Sequence, residues 1–92
     1  MLRLVARPRA ERTLGALPEG EYQAALAALR AIPSAFGRPH LHSGLGIRQL
    51  RSGVYEARIG LDLRAAFVRE GDELKIQVIG THDEVKRFLR GI

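Results

Sequence analysis

The run Val54-Tyr55-Glu56-Ala57-Arg58-Ile59-Gly60-Leu61-Asp62-Leu63-Arg64-Ala65-Ala66-Phe67-Val68-Arg69-Glu70-Gly71-Asp72-Glu73-Leu74-Lys75-Ile76-Gln77-Val78 carries the strongest structural signal in the chain. Side chains alternate between the two faces of a strand. Tyr55, Ala57 and Ile59 therefore share one face and Glu56 and Arg58 the other, while Leu63, Ala65 and Phe67 oppose Arg64 across the next strand. Leu74, Ile76 and Val78 continue the apolar face. If Gly60-Leu61-Asp62 closes a hairpin, Ile59 faces Leu63, Ala57 faces Ala65 and Tyr55 faces Phe67, so apolar meets apolar at every step. A Gly71-Asp72 turn then pairs Arg69 with Leu74 and Phe67 with Ile76. The pattern predicts an antiparallel meander, beginning at Ile47 with a strand that contains Arg48 and Arg51.

Upstream, Leu2, Leu4 and Ala6 alternate in a short strand that Pro8 ends, and residues 9–17 suit a short helix. Pro18-Glu19-Gly20 breaks the chain. Tyr22, Ala25, Leu26, Leu29 and Ile32 then recur at helical spacing, with Glu19 and Glu21 at the positive end of the helix dipole. The two helices form an αα-hairpin whose apolar stripe needs a sheet to lie on. Residues 33–46 read as a loop. Downstream, Thr81-His82-Asp83-Glu84 is a capping box, followed by Val85, Phe88, Leu89 and Ile92 on one helical face. The expected class is α+β: an N-terminal strand, an αα-hairpin packed on an antiparallel meander, and a C-terminal helix.

Ninety-two residues with 46% apolar and 27% charged side chains suit one globular domain spanning 1–92. Without cysteine there is no disulfide, no thiolate nucleophile and no cysteine-based zinc site. The start has no secretory pattern and no run is long enough to span a bilayer, so a cytoplasmic setting without membrane contact is expected. The net charge is +5, and thirteen of the fifteen cations are arginine, whose planar fork of donors matches phosphate oxygens.

The hairpin register sets Arg58 directly opposite Arg64. Facing guanidiniums cost roughly a few tenths to one kcal/mol on a sheet surface, which a bound polyanion would offset. Arg48 and Arg51 would widen such a patch into a track for a phosphate backbone. The plainer alternative is a solvated face on which Glu56 screens Arg58. His82, just past the last strand, can exchange a proton near neutral pH and, beside Arg and Glu56, would suit cleavage of a phosphodiester. Its alternative is an exposed residue of the first helical turn. His40-Leu41-His42 lacks a third metal ligand, and Gly44-Leu45-Gly46 lacks the helix and lysine of a phosphate-cradling loop, so neither a metal nor a cofactor is expected.

The set His42-Ser43-Gly44, Ile47-Arg48-Gln49-Leu50, Gly53-Val54-Tyr55-Glu56-Ala57-Arg58-Ile59-Gly60, Leu63-Arg64-Ala65-Ala66-Phe67 and Gly80-Thr81-His82-Asp83-Glu84-Val85 resembles the RelE/ParE superfamily of bacterial type II toxins. The order of elements agrees over nearly the whole chain. RelE-like members are ribosome-dependent endoribonucleases acting on messenger RNA; ParE-like members inhibit DNA gyrase without being enzymes. The resemblance implies Arg58 and Arg64 on the phosphate, His82 as general acid, Glu56 as general base, and Phe88 stacking on a base, with no metal. Glu56 stands where RelE has Lys, and Phe88 where it has Tyr. The resemblance also implies a cognate antitoxin, assembled with the chain into a hetero-oligomer, and the ribosome and its message as further partners. A homologue that keeps only antitoxin binding is the remaining reading.

Overall fold

A computed structural model describes residues 2–38 and 44–92. The elements are β1 (Arg3–Ala6), α1 (Pro8–Gly15), α2 (Glu19–Ala35), β2 (Arg48–Arg51), β3 (Val54–Arg58), β4 (Arg64–Glu70), β5 (Glu73–Gly80) and α3 (His82–Arg90). One five-stranded sheet runs in the order β1-β5-β4-β3-β2. β2 to β5 form the expected antiparallel meander, and β1 adds to β5 in parallel. Pro8 both ends β1 and opens α1, since its fixed φ and missing N–H suit the first helical turn.

The α1–α2 hairpin covers one face of the sheet. Ala25, Leu29, Ile32 and Ala35 of α2 recur at helical spacing and pack with Ala57, Ile59, Ala65, Phe67, Leu74, Ile76 and Ile79 in the main core. α2 runs two residues past Pro33, into the segment read as a loop. Proline removes one helical hydrogen bond, yet burial of Ile32 and Ala35 holds the last turn and the Phe36 N–H still donates to the Ile32 carbonyl at 2.8 Å. That extension brings Phe36 edge-on to Tyr55 at 4.8 Å and to Phe67 at 5.9 Å, sealing the end of the core. Gly20 lies inside α2 rather than breaking the chain before it.

α3 covers the opposite face, where Val85 packs with Ala66 and Val78 in a second, smaller cluster. Val78 therefore lies on the face opposite to the one its alternation suggested. The cause is a β-bulge: β4 and β5 pair Phe67 with Ile76 but Ala66 with Val78, so Gln77 is the extra residue. Beyond it every side chain of β5 changes face, and Ile79 takes up the main-core position.

The capping box of α3 is formed. The Glu84 N–H donates to the Thr81 hydroxyl at 3.2 Å, and the Thr81 N–H donates to the Glu84 carboxylate at 2.9 Å. That backbone N–H, with the Thr81 hydroxyl and the charges of Arg87 and Arg9, holds the Glu84 carboxyl below its ordinary range, against the opposing effect of desolvation. A carboxyl whose pKa is lower folded than unfolded stabilises the fold above its unfolded pKa, and that stabilisation disappears as pH falls through the lowered value. Thermal unfolding followed from neutral to acid pH should thus show wild type losing more stability through that window than Glu84→Gln. Equal slopes would remove the cap's contribution.

Candidate active site

Strand pairing builds the site. Arg58 of β3 stands opposite Arg64 of β4, as the hairpin register required, and Arg64 in turn pairs with Gly80 of β5. The bulge at Gln77 sets this third position: regular pairing from Phe67 and Ile76 would have put Ile79 beside Arg64. A glycine there lets α3 settle directly onto the end of the sheet. A Cβ on Gly80 would lie 2.8 Å from the Glu84 carboxylate oxygen and 3.0 Å from its Cβ. Gly80→Ala should therefore break the capping box and cost about 1–3 kcal/mol in urea unfolding, while displacing His82. Unchanged stability would show that the contact relaxes freely.

Arg58, Arg64 and His82 line one open pocket of about 370 Å³, together with Leu61, Asp62, Leu63, Thr81 and Asp83. Arg58 is exposed and has no ion-pair or hydrogen-bond partner among the described residues. Arg64 is half-buried and held: its guanidinium donates to the Glu56 carboxylate at 3.2 Å. The same carboxylate oxygen accepts from the Arg48 Nε at 2.7 Å. Glu56 consequently neutralises Arg64 and Arg48, not Arg58.

Glu56 does not lie on an open surface. It is 1% exposed, and one of its carboxylate oxygens is already occupied by two cations. That burial and pairing argue against the role of general base; the carboxylate holds Arg64. Arg48 and Arg51 do not join the pocket. Arg48 is turned onto Glu56, and Arg51 donates to the Ile92 carbonyl at 3.2 Å. Phe88 is half-buried against the cluster of Ala66, Val78 and Val85, and its free side borders a different depression with Arg9 and Arg87. His40-Leu41-His42 lies outside the described residues.

This arrangement sits in an architecture shared with solved proteins. RelE in the archaeal RelE–RelB complex from Pyrococcus horikoshii OT3 superposes with a TM-score of 0.68 at 20% identity, over 87% of this chain and 93% of that one. YafQ from Escherichia coli gives 0.66 at 14% identity, over 92% and 98%. The YoeB–YefM toxin–antitoxin complex from Staphylococcus aureus gives 0.63 at 19% identity, over 89% and 98%. The chain has the RelE-type toxin fold. Neither a family model nor a curated protein sequence matches the chain.

Within the RelE-type fold, two pocket carboxylates carried no functional expectation. Asp62 reads in the sequence only as a hairpin residue, and Asp83 only as an acidic residue beside a helix N-terminus. Both line the pocket. The one signal for them is proximity in sequence: each lies two residues or fewer from Arg64 or His82.

Proposed function

We propose that this chain is the toxin of a type II toxin–antitoxin pair and that it cuts messenger RNA through its ribose 2′-hydroxyl. The supporting observation is the convergence of Arg58, Arg64 and His82 on one solvent-open pocket. In this reading the two guanidiniums bind the phosphate and stabilise the charge that develops on its oxygens. Asp83, an accessible carboxylate of the pocket, takes the 2′-OH proton. The 2′-oxygen attacks phosphorus, the bond to the 5′-oxygen breaks, and His82 gives that oxygen a proton. The products are a 2′,3′-cyclic phosphate and a 5′-hydroxyl. Glu56 acts as a positioning residue that holds Arg64, and no step calls for a metal.

Two pocket arginines neutralise few phosphates, so the chain alone would hold RNA weakly at physiological salt. A scaffold that presents the message in a fixed conformation supplies the missing alignment. The decoding ribosome is that scaffold in this reading, which places the protein in the cytoplasm. The partner that restrains it is an antitoxin, as the solved neighbours of this fold include complexes with RelB, YefM and DinJ.

Induced expression followed by mapping of message 5′ ends tests the reading. Growth arrest with new internal ends, both lost in His82→Ala and restrained by co-expression of the adjacent gene's product, is the expected result. Arrest with intact messages would overturn it in favour of binding without cleavage.

A further inference from the structure

A second recess adjoins the phosphate pocket. It has a volume of about 550 Å³, lies between the start of α2 and the β3–β4 hairpin, and shares Leu61, Asp62, Leu63 and Thr81 with the first pocket. Its character is different. Ala24, Leu61 and Leu63 give apolar walls, Glu21 and Asp62 supply carboxylates, and no cation among the described residues lines it. Leu61 is 97% exposed at the hairpin tip, an apolar side chain with nothing packed on it. Neither Glu21 nor Asp62 has a hydrogen-bond or ion-pair partner among the described residues, so their oxygens are free to accept.

We infer that this recess is a nucleobase site and that its carboxylates select guanine. The inference rests on the RNA-cleaving reading of the adjoining pocket. With a phosphate held by Arg58 and Arg64, a flanking nucleotide must put its base within a few ångströms, and the sugar–phosphate chain itself is repelled by Glu21 and Asp62. What fits beside such carboxylates is a neutral, flat group that stacks on aliphatic walls and donates hydrogen bonds. Guanine presents two adjacent donors, N1–H and the 2-amino group, which match the two oxygens of one carboxylate. Adenine and cytosine each place an acceptor nitrogen next to their amino group and leave one oxygen unsatisfied. Asp62, on the boundary between the recesses, is placed to form that fork, and Leu61 to close over the ring.

The test uses isotope-labelled protein and three uncleavable 2′-deoxy dinucleoside monophosphates carrying guanine, adenine or hypoxanthine, followed by backbone amide shifts. With guanine, amides of Ala24, Leu61 and Leu63 should move together with those of Arg58 and Arg64. Affinity for it should exceed that for adenine about tenfold or more, and removal of the 2-amino group in hypoxanthine should forfeit most of the difference. Asp62→Asn should abolish the preference while shifts at Arg58 and Arg64 persist. Base-independent binding, with shifts at Arg58 and Arg64 but none at Ala24, Leu61 and Leu63, would overturn the base site and leave the phosphate pocket standing. No shift at either recess would remove both.

Discussion

Arg64→Ala should lower message cleavage on programmed ribosomes by about 10²–10³-fold, because it removes a charged donor from the oxygens on which charge builds. His82→Ala should cost about 10²–10⁴-fold, the range for loss of a general acid. The two losses have different remedies. A message with sulfur in place of the scissile 5′-oxygen has a leaving group that departs without a proton, so it should restore His82→Ala and leave Arg64→Ala impaired. Rescue of both variants, or of neither, would contradict the division of roles. Arg58→Ala supplies a further contrast. Arg58 is exposed and faces Arg64 across the hairpin, so its removal should leave stability unchanged or raise it by a few tenths of a kcal/mol while activity falls.

The double variant Arg48→Ala, Arg64→Ala should lose about 3–5 kcal/mol of stability, the cost of leaving a buried charge without a partner. Each single change should cost only about 1 kcal/mol, since the Glu56 carboxylate keeps one guanidinium and the freed space admits water. The asymmetry follows from burial: the Glu56 side chain is 1% exposed, against 27% for Arg64 and 60% for Arg48. A double-mutant cycle by urea unfolding should therefore show strong coupling between the arginines, and additivity would deny that they share one carboxylate. Adding Glu56→Met to the double variant should recover most of the lost stability, because an apolar side chain of similar size needs no counter-charge. It should recover no activity, because Arg64 is absent.

The meander was legible because the β3–β4 and β4–β5 turns and the alternation give the same pairing. Tyr55 with Phe67, Ala57 with Ala65, Arg58 with Arg64 and Phe67 with Ile76 are all found as the residues indicate. The capping box at Thr81 was legible for a similar reason, as its chemistry is local. What alternation conceals is which faces are covered. Glu56 falls at an outward position and reads as a surface carboxylate, but it lies on the sheet face that α3 packs against and is buried there. The bulge at Gln77 left no mark in the pattern, because Val78 and Ile79 are both apolar and either satisfies the inward face. It nevertheless sets Gly80 beside Arg64 and so decides where His82 stands. Pro33 reads as a helix breaker, but the buried stripe of Ile32 and Ala35 outweighs it and carries Phe36 onto the core.

Of the candidate residues, the placement of Arg58, Arg64 and His82 around one pocket was legible, because strand register and one helix cap set it. Arg48 and Arg51 join them by residue type, and Phe88 through the resemblance. The directions of the two arginines are set by Glu56 on the neighbouring strand and by Ile92 at the end of the chain, and Phe88 shares its helical face with Val85 but packs on Ala66 and Val78 of the sheet, which spacing along one element does not supply.

The most direct measurement is the chemistry of the ends left when purified protein is added to ribosomes stalled on a defined message. Attack by the 2′-oxygen within the Arg58, Arg64 and His82 pocket requires a 2′,3′-cyclic phosphate on the upstream fragment and a 5′-hydroxyl downstream, and a single 2′-deoxy substitution at the cut position should stop the reaction. Fragments bearing a 5′-phosphate, or cleavage that ignores the missing hydroxyl, would contradict it.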